Sequence, residues 1–268
     1  MSYTFGDNRE ASRRLGRLAE VYEQETRSLL TSAGAVVGGR FELAVDLGCG
    51  PGWSTQLIEL TLNPVRTVGL DASERFVAEA RSNHPQLEFI RHDVLISPFP
   101  VRNPDFLFCR FLLTHFSSPL AALRCWGQVS RLNAILALLE NESLHSEHPT
   151  LSRYYEMVAL MQRHYGQQLN IGASLDEVLE GTEWTAVQSE SVMLEKPSQE
   201  MAQLHLANIR AWGKSDFAIA AFDQGELHQL EHDLALIASG AETAGVVRNT
   251  AKCVIARRNA ERGGRADA

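Results

Sequence analysis

The chain has 268 residues, 44% of them apolar and 22% charged, an ordinary globular mix with core material for one full α/β domain and insertions. A formal net charge of −8 and the lack of any basic tract argue against a nucleic-acid partner. No signal-type h-region, no apolar run long enough to span a membrane and no CxxC pair among Cys49, Cys109, Cys125 and Cys253 are present, so the expectation is a cytoplasmic protein off the membrane, with reduced thiols and neither metal site nor disulfide.

In chain order, residues 8–33 carry Leu15, Leu18, Ala19, Tyr22, Leu29 and Leu30 at helical spacing, and "GAVVGG" (34–39) reads as a linker. Four short apolar runs then read as strands: "ELAVDLG" (42–48), "VRTVGLD" (65–71), "LEFIRHD" (87–93) and "PDFLFCR" (104–110). Helix-length segments at 53–62 and 73–83 lie between them, the second opening on Ser73 and Glu74. A helix over 118–131 leads to a fifth strand, "AILALLE" (134–140). This alternation predicts an α/β fold, a doubly wound, mostly parallel sheet whose ligands bind outside the carboxyl ends of the strands. The second half reads as helices over 146–168 and 173–180, a strand over 185–194, helices over 198–213 and 223–239, and a strand or strand pair over 244–258. The division expected is an N-terminal helical segment and linker (1–39), a Rossmann-like domain (40–258) with helical insertions at 141–180 and 196–240, and a disordered tail (259–268).

The chemistry concentrates where the early strands end. Gly48-Cys49-Gly50-Pro51-Gly52 is GxGxG, with Trp53 where a dinucleotide fingerprint has its third glycine. By itself the motif is compatible with a ligand loop or with a tight βα turn. Asp71 ends the second strand about 20 residues further on, the separation at which an acid reaches a ribose; its carboxylate can accept two hydrogen bonds from a vicinal diol. Asp93 ends the third strand and is followed by apolar Val94 and Leu95, a setting for an exocyclic amine and a purine ring. Each acid could instead only cap the segment after it.

Together, "VDLGCGPG", "GLDAS", "RHDV" and "CRFLLTHFSSP" resemble the successive motifs of the class I S-adenosylmethionine-dependent methyltransferases of the small-molecule branch, over about residues 40–135. The resemblance implies a seven-stranded Rossmann-like sheet and S-adenosylmethionine as cofactor. It places Gly48, Gly50 and Gly52 against the methionine part and ribose, and gives Asp46 the cofactor's amino group or the bracing of the loop. It implies that Asp71 with Ala72 binds the ribose, that Asp93 with Val94 holds adenine, and that the backbone of Arg110 lies near the amino acid part. Three acids and no nearby lysine suit a ligand with a sulfonium and an ammonium better than a pyrophosphate.

Methyl transfer needs alignment and exclusion of water, and a base only where the acceptor must lose a proton. The fourth strand ends in "CRFLLTH", without the Pro-Pro-Tyr type of motif of amino-methylating DNA enzymes, and no Pro-Cys dipeptide offers a thiolate. A small-molecule acceptor is therefore expected, with a protein side chain or a catalytically silent regulatory subunit as the alternatives, in a monomer or homodimer. His115 and Glu140, beside the fourth and fifth strand ends, are the candidate bases. Tyr22, Tyr154, Tyr155 and His164 are the candidate substrate-binding residues, with Glu142, Tyr165 and Trp212 as further candidates for the pocket wall. A Tyr154, Met157, Val158, Met161, Tyr165 stripe fits plain core as well as a binding surface, and the insertions fit a dimer interface as well as a helical lid over the site.

Overall fold

The computed structural model describes residues 9–260. Along the chain, α1 (Arg9–Val21) and α2 (Glu23–Val37) precede β1 (Leu43–Leu47), α3 (Trp53–Leu62), β2 (Arg66–Asp71), α4 (Glu74–Asn83), β3 (Glu88–Arg91) and β4 (Phe106–Arg110). Then come α5 (Pro119–Val129), β5 (Ile135–Ser146), α6 (Pro149–His164), α7 (Leu175–Glu180), β6 (Trp184–Pro197), α8 (Ser198–Trp212), α9 (Asp216–Ala221), α10 (Gln224–Ser239) and β7 (Val246–Arg258).

Alternation along the buried strands feeds two cores. Leu43, Val45 and Leu47 of β1, Leu107 and Cys109 of β4, and Leu136 and Leu138 of β5 pack with Ala122, Leu123 and Trp126 of α5. Ala44, Phe106, Phe108, Ile135, Ala137 and Leu139 point the other way, onto Leu29, Leu30 and Ala33 of α2 and Leu57 and Ile58 of α3. Helices on both faces make the sheet doubly wound. Its order is β3-β2-β1-β4-β5-β7-β6, seven strands in all. The first five are parallel, and β7 runs antiparallel to both β5 and β6. Strand order reverses between β1 and β4, so the ligand crevice of such a sheet lies at their carboxyl ends.

Three expectations are corrected. The helix expected over 8–33 breaks at Tyr22, whose φ of −114° and ψ of 19° are not helical. Lys196 Nζ holds that break: it donates to the Val21 carbonyl at 2.7 Å and to Glu25 at 2.8 Å. The "GAVVGG" linker is largely helix: at Gly34 a Cβ would lie 3.0 Å from a Leu62 methyl of α3, so glycine lets the two helices pack closely, and α2 ends only at Gly38 with φ +65°. Strand β5 does not stop at Glu140. It pairs with β7 through a bulge at 141–143 as far as Ser146, and β6 follows β7 along its whole length. This three-stranded ribbon carries a third core, where α6, α8 and α10 meet Val247 and Ala251 of β7. Of the expected tail 259–268, residues 261–268 lie outside the described residues, while Asn259 N donates to the Glu183 carbonyl at 2.9 Å. Among the described residues no helix is long and apolar enough to cross a membrane. The four thiols are free, three of them buried.

Candidate functional site

At the carboxyl edge of the parallel strands lies a cavity of about 490 Å³, with the glycine turn at one end and aromatic side chains of α6 and α8 at the other.

The turn is fixed from several sides. Gly48 N and Cys49 N donate to the Leu70 carbonyl at 2.8 and 2.9 Å, tying the turn to β2. Gly48, Gly50 and Gly52 all have positive φ, and at Gly52 (φ +94°) a Cβ would lie 2.9 Å from ring atoms of His84 and Phe89. A Cβ on Gly48 would meet Leu112 at 2.8 Å, and one on Gly50 would meet Leu15 of α1 at 3.3 Å. The chain's own packing thus requires glycine at Gly48 and Gly52 before any ligand is considered.

Asp46 is buried beneath the turn and accepts from Ser54 and Thr55, both at 2.6 Å. It braces the first turn of α3. Burial raises its carboxyl to about 6 despite those two hydroxyls. Asp71 also serves the turn: Oδ2 accepts from Gly50 N at 2.9 Å and Oδ1 from Ser73 N at 2.8 Å. A carboxylate offers about four acceptor sites in all. Asp93 Oδ1 accepts from Leu95 N at 3.0 Å, and the Val94 carbonyl accepts from Trp126 Nε1 at 2.9 Å, which fixes this edge against α5. Ala72 and Arg110 line the same cavity. Arg110 donates to Thr26 Oγ1 at 2.8 Å; burial lowers its pKa, opposed by the nearby Asp46.

The other wall is built by α1, α6, α8 and the segment after β4. Phe111, with φ +51°, turns that segment, and its ring meets Tyr22 edge-on at 4.8 Å. His205 of α8 stacks on Tyr154 at 4.2 Å and shares a 2.8 Å hydrogen bond with Tyr155 Oη. Asn208 donates to Tyr154 Oη at 3.0 Å. Burial pushes the Tyr22, Tyr154 and Tyr155 phenols up and brings His205 down to about 3. His115 lines the cavity, and burial, helped by the charge of Arg14, holds its imidazole down to about 3.

The cavity therefore gathers Asp46, Gly48, Gly50, Asp71, Ala72, Asp93, Val94, Arg110, His115, Tyr22, Tyr154 and Tyr155 of the expected residues. Gly52 shapes the turn from behind. Glu140 and His164 are corrected. Glu140 is fully buried off the cavity, where its Oε1 accepts from Leu112 N and Leu113 N at 2.9 and 2.8 Å and so shapes the loop after β4. His164 falls outside the buried stripe of α6 and stacks at the surface on Phe217, at 4.3 Å. Glu142, Tyr165 and Trp212 do not line the cavity. Sequence reading missed Arg14, Gln162, His205 and Asn208. Their signal was a polar residue within the apolar stripe of an amphipathic helix: Arg14 among Ala11, Leu15 and Leu18, His205 among Met201, Leu204 and Ile209.

Residues 44–132 match the family model of a methyltransferase domain. A trans-aconitate 2-methyltransferase of Paracidovorax citrulli is 40% identical over 65 residues, 24% of this chain and 25% of that enzyme, so the match spans about a quarter of the relative's length. Among solved structures, the N-methyltransferase NodS of Bradyrhizobium japonicum WM9, in complex with S-adenosyl-L-homocysteine, aligns over 88% of this chain and 87% of its own, with a TM-score of 0.52 at 11% identity. The magnesium protoporphyrin IX methyltransferase ChlM of Synechocystis PCC 6803, with the same molecule bound, covers 91% of this chain and 94% of its own, with a TM-score of 0.52 at 12% identity. At such identities the likeness speaks for the fold.

Proposed function

We propose that this chain, residues 44–132 of which match a methyltransferase domain, is a class I S-adenosylmethionine-dependent methyltransferase that transfers the cofactor's methyl group to a small molecule. The observation that carries this reading is the single cavity running from the glycine turn and its acids to an aromatic wall. The site's residues fit the cofactor. Asp71, already oriented by Gly50 N and Ser73 N, would take the ribose diol. Asp93 and Val94 would border the adenine, and the turn with the backbone at Arg110 would face the amino acid part. When bound, the cofactor supplies a methyl group made electrophilic by the sulfonium. The acids Asp46, Asp71 and Asp93, with no lysine among the described lining residues, suit its positive charge. The chain's part is to align the acceptor and keep water out, which the helices α1, α6 and α8 over the strand ends would do.

The enclosed volume and the net charge of −8 support a free small acceptor over nucleic acid or a protein side chain. Calorimetry and thermal shift with S-adenosylmethionine, S-adenosylhomocysteine and NAD(P)H test the class. The first two should bind and raise the melting temperature. Binding of the nicotinamide alone would overturn the reading.

A further inference from the structure

We propose that Lys196 is a positioning residue for the cofactor site: by taking the Val21 carbonyl it keeps the chain bent at Tyr22, and the bend lays α1 across the glycine turn as a cover. This rests on the methyl-transfer reading and adds to it the residue that keeps the site closed.

The first observation is that nothing local bends the helix. Residues 19–26 hold neither proline nor glycine, and Leu15, Leu18, Ala19, Tyr22, Leu29 and Leu30 keep helical spacing across the break. A helix with neither residue at the bend kinks where a side chain inserts into its ladder of backbone bonds. Lys196 is such an insertion. In an unbroken helix the Val21 carbonyl would accept from Glu25 N. Here α1 stops at Val21, and that carbonyl accepts from Lys196 Nζ at 2.7 Å. The same ammonium donates to Glu25 at 2.8 Å and stands 5.1 Å from the centre of the Tyr22 ring. The Lys196 and Glu25 side chains are 13% and 14% exposed, so the pair is screened far less than one at the surface. The α2 side of the break is tied separately. Arg110 Nη1 donates to Thr26 Oγ1 at 2.8 Å, and that hydroxyl donates to the Tyr22 carbonyl at 2.6 Å. Leu29, Leu30 and Ala33 anchor α2 in the core against the sheet. A change of angle at Tyr22 therefore moves α1 and leaves α2 in place.

The second observation is what α1 covers. Leu15, Leu18 and Tyr22 line the same cavity as Asp46 and Asp71. A Cβ on Gly50 would meet Leu15 at 3.3 Å, and one on Gly16 would meet Trp53 Nε1 at 3.4 Å, so α1 rests on the turn and on the first residue of α3. Gly50 N is the donor that orients Asp71, which puts the cover over the acid placed to take the ribose. Leu15 stands two turns before Tyr22, about 10 Å along the axis, so a change of direction of about 20° shifts it by about 4 Å. That is enough to part it from Gly50 and open the turn to water. Lys196 itself does not line the cavity. It sits near the end of β6, just before α8, whose Met201, Leu204 and His205 line the opposite wall. One ammonium thus fastens the α1 side of the cavity to the α8 side.

The test uses the full chain loaded with labelled S-adenosylmethionine and chased with excess S-adenosylhomocysteine. Lys196→Met keeps the apolar stem and loses the donors. It should release label about tenfold faster than wild type, because loss of a cover acts on the rate of exit. Lys196→Arg, which can still donate to both oxygens, should recover most of the slow release. Acrylamide quenching follows α1 itself. Trp126, Trp184 and Trp212 are buried while Trp53 is 39% exposed, so the quenching reads Trp53, and it should rise in Lys196→Met as Gly16 leaves the indole. If Lys196→Met fails to fold by circular dichroism, Lys196→Gln, whose amide ends one atom short of the ammonium, carries the comparison with the same expectations. A folded variant that releases label within about twofold of the wild-type rate overturns the proposal and leaves methyl transfer standing. So does unchanged quenching of Trp53, or an Arg variant that releases label as fast as the Met variant. A wild-type protein that does not bind S-adenosylmethionine overturns the methyl-transfer reading, and this proposal with it.

Discussion

Replacing Glu140 by Gln removes a buried ionisable group while keeping the acceptor that Leu112 N and Leu113 N use. Burial raises the Glu140 carboxyl from 4.5 to about 7, and the two backbone donors and the Cys109 thiol recover only part of that. The sign follows from proton linkage. Between pH 4.5 and 7 the folded state holds a proton that the unfolded state has released, so wild-type stability falls as pH rises through that window and levels off above it. At about 1.4 kcal/mol per pH unit, the window is worth about 3 kcal/mol. Gln does not titrate, so the stability of Glu140→Gln relative to wild type should climb by about that amount from pH 5 to pH 8. Among the described residues, Glu140 Oε2 has no hydrogen-bond partner. The amide placed there leaves a donor unsatisfied, at a cost of about 1–3 kcal/mol that is the same at every pH. The predicted quantity is therefore the slope of the difference, and subtracting the two proteins cancels other titrations such as that of Asp46. Urea unfolding at pH 5, 6, 7 and 8 reads it directly. A stability difference constant to within about 0.5 kcal/mol across that range would refute the buried-charge argument. Turnover should survive the substitution, because Glu140 lies off the cavity; a loss of about a hundredfold or more would reinstate it as a base.

Asp71→Ala should weaken S-adenosylmethionine binding about tenfold to a hundredfold by calorimetry, and unchanged affinity in a folded variant would remove Asp71 from the ribose site. Gly52→Ala, at φ +94° with ring atoms 2.9 Å from its new Cβ, should lower stability by about 2–4 kcal/mol in urea, whereas a neutral result would mean that His84 and Phe89 yield freely. Tyr155→Phe strands the His205 imidazole and should lower turnover while S-adenosylmethionine affinity holds; an unaltered rate would take this pair out of the acceptor wall. His164→Ala, at the surface on Phe217, should leave turnover unchanged, and a marked loss would overturn its exclusion from the site.

The parallel half of the fold was legible because its signals are local. Apolar runs of strand length, GxGxG and strand-end acids recur in the right order, and their bonds run between near neighbours, as from Asp46 to Ser54 and Thr55. The helix break at Tyr22 was not legible, since it depends on Lys196, 175 residues away from Val21. Nor was the continuation of β5 past Glu140. Residues 141–146 alternate poorly, and only pairing with β7 makes them a strand. Glu140 was misplaced because a strand-end acid looks the same whether it faces a ligand or folds back onto backbone amides. Arg14 was overlooked because in a segment with several arginines the helical phase alone distinguishes the buried one. His164 was included because its type suited the site, while its phase on α6 puts it outside.

The ribbon of β5, β6 and β7 has a bearing on how this chain can change. The helices that build the acceptor wall bury their apolar faces in the core they share with the ribbon, while the parallel strands bury theirs in two other cores. Phe111 and Val192 are the side chains that join the ribbon's core to one of these. Substitutions in α6, α8 and α10 can therefore accumulate and compensate one another with little strain passed to the glycine turn or to Asp71. The family match covers residues 44–132 and stops just short of the strand that starts the ribbon. Drift in what the wall accepts, with constancy in what the turn holds, is the pattern of divergence that this partition of cores permits.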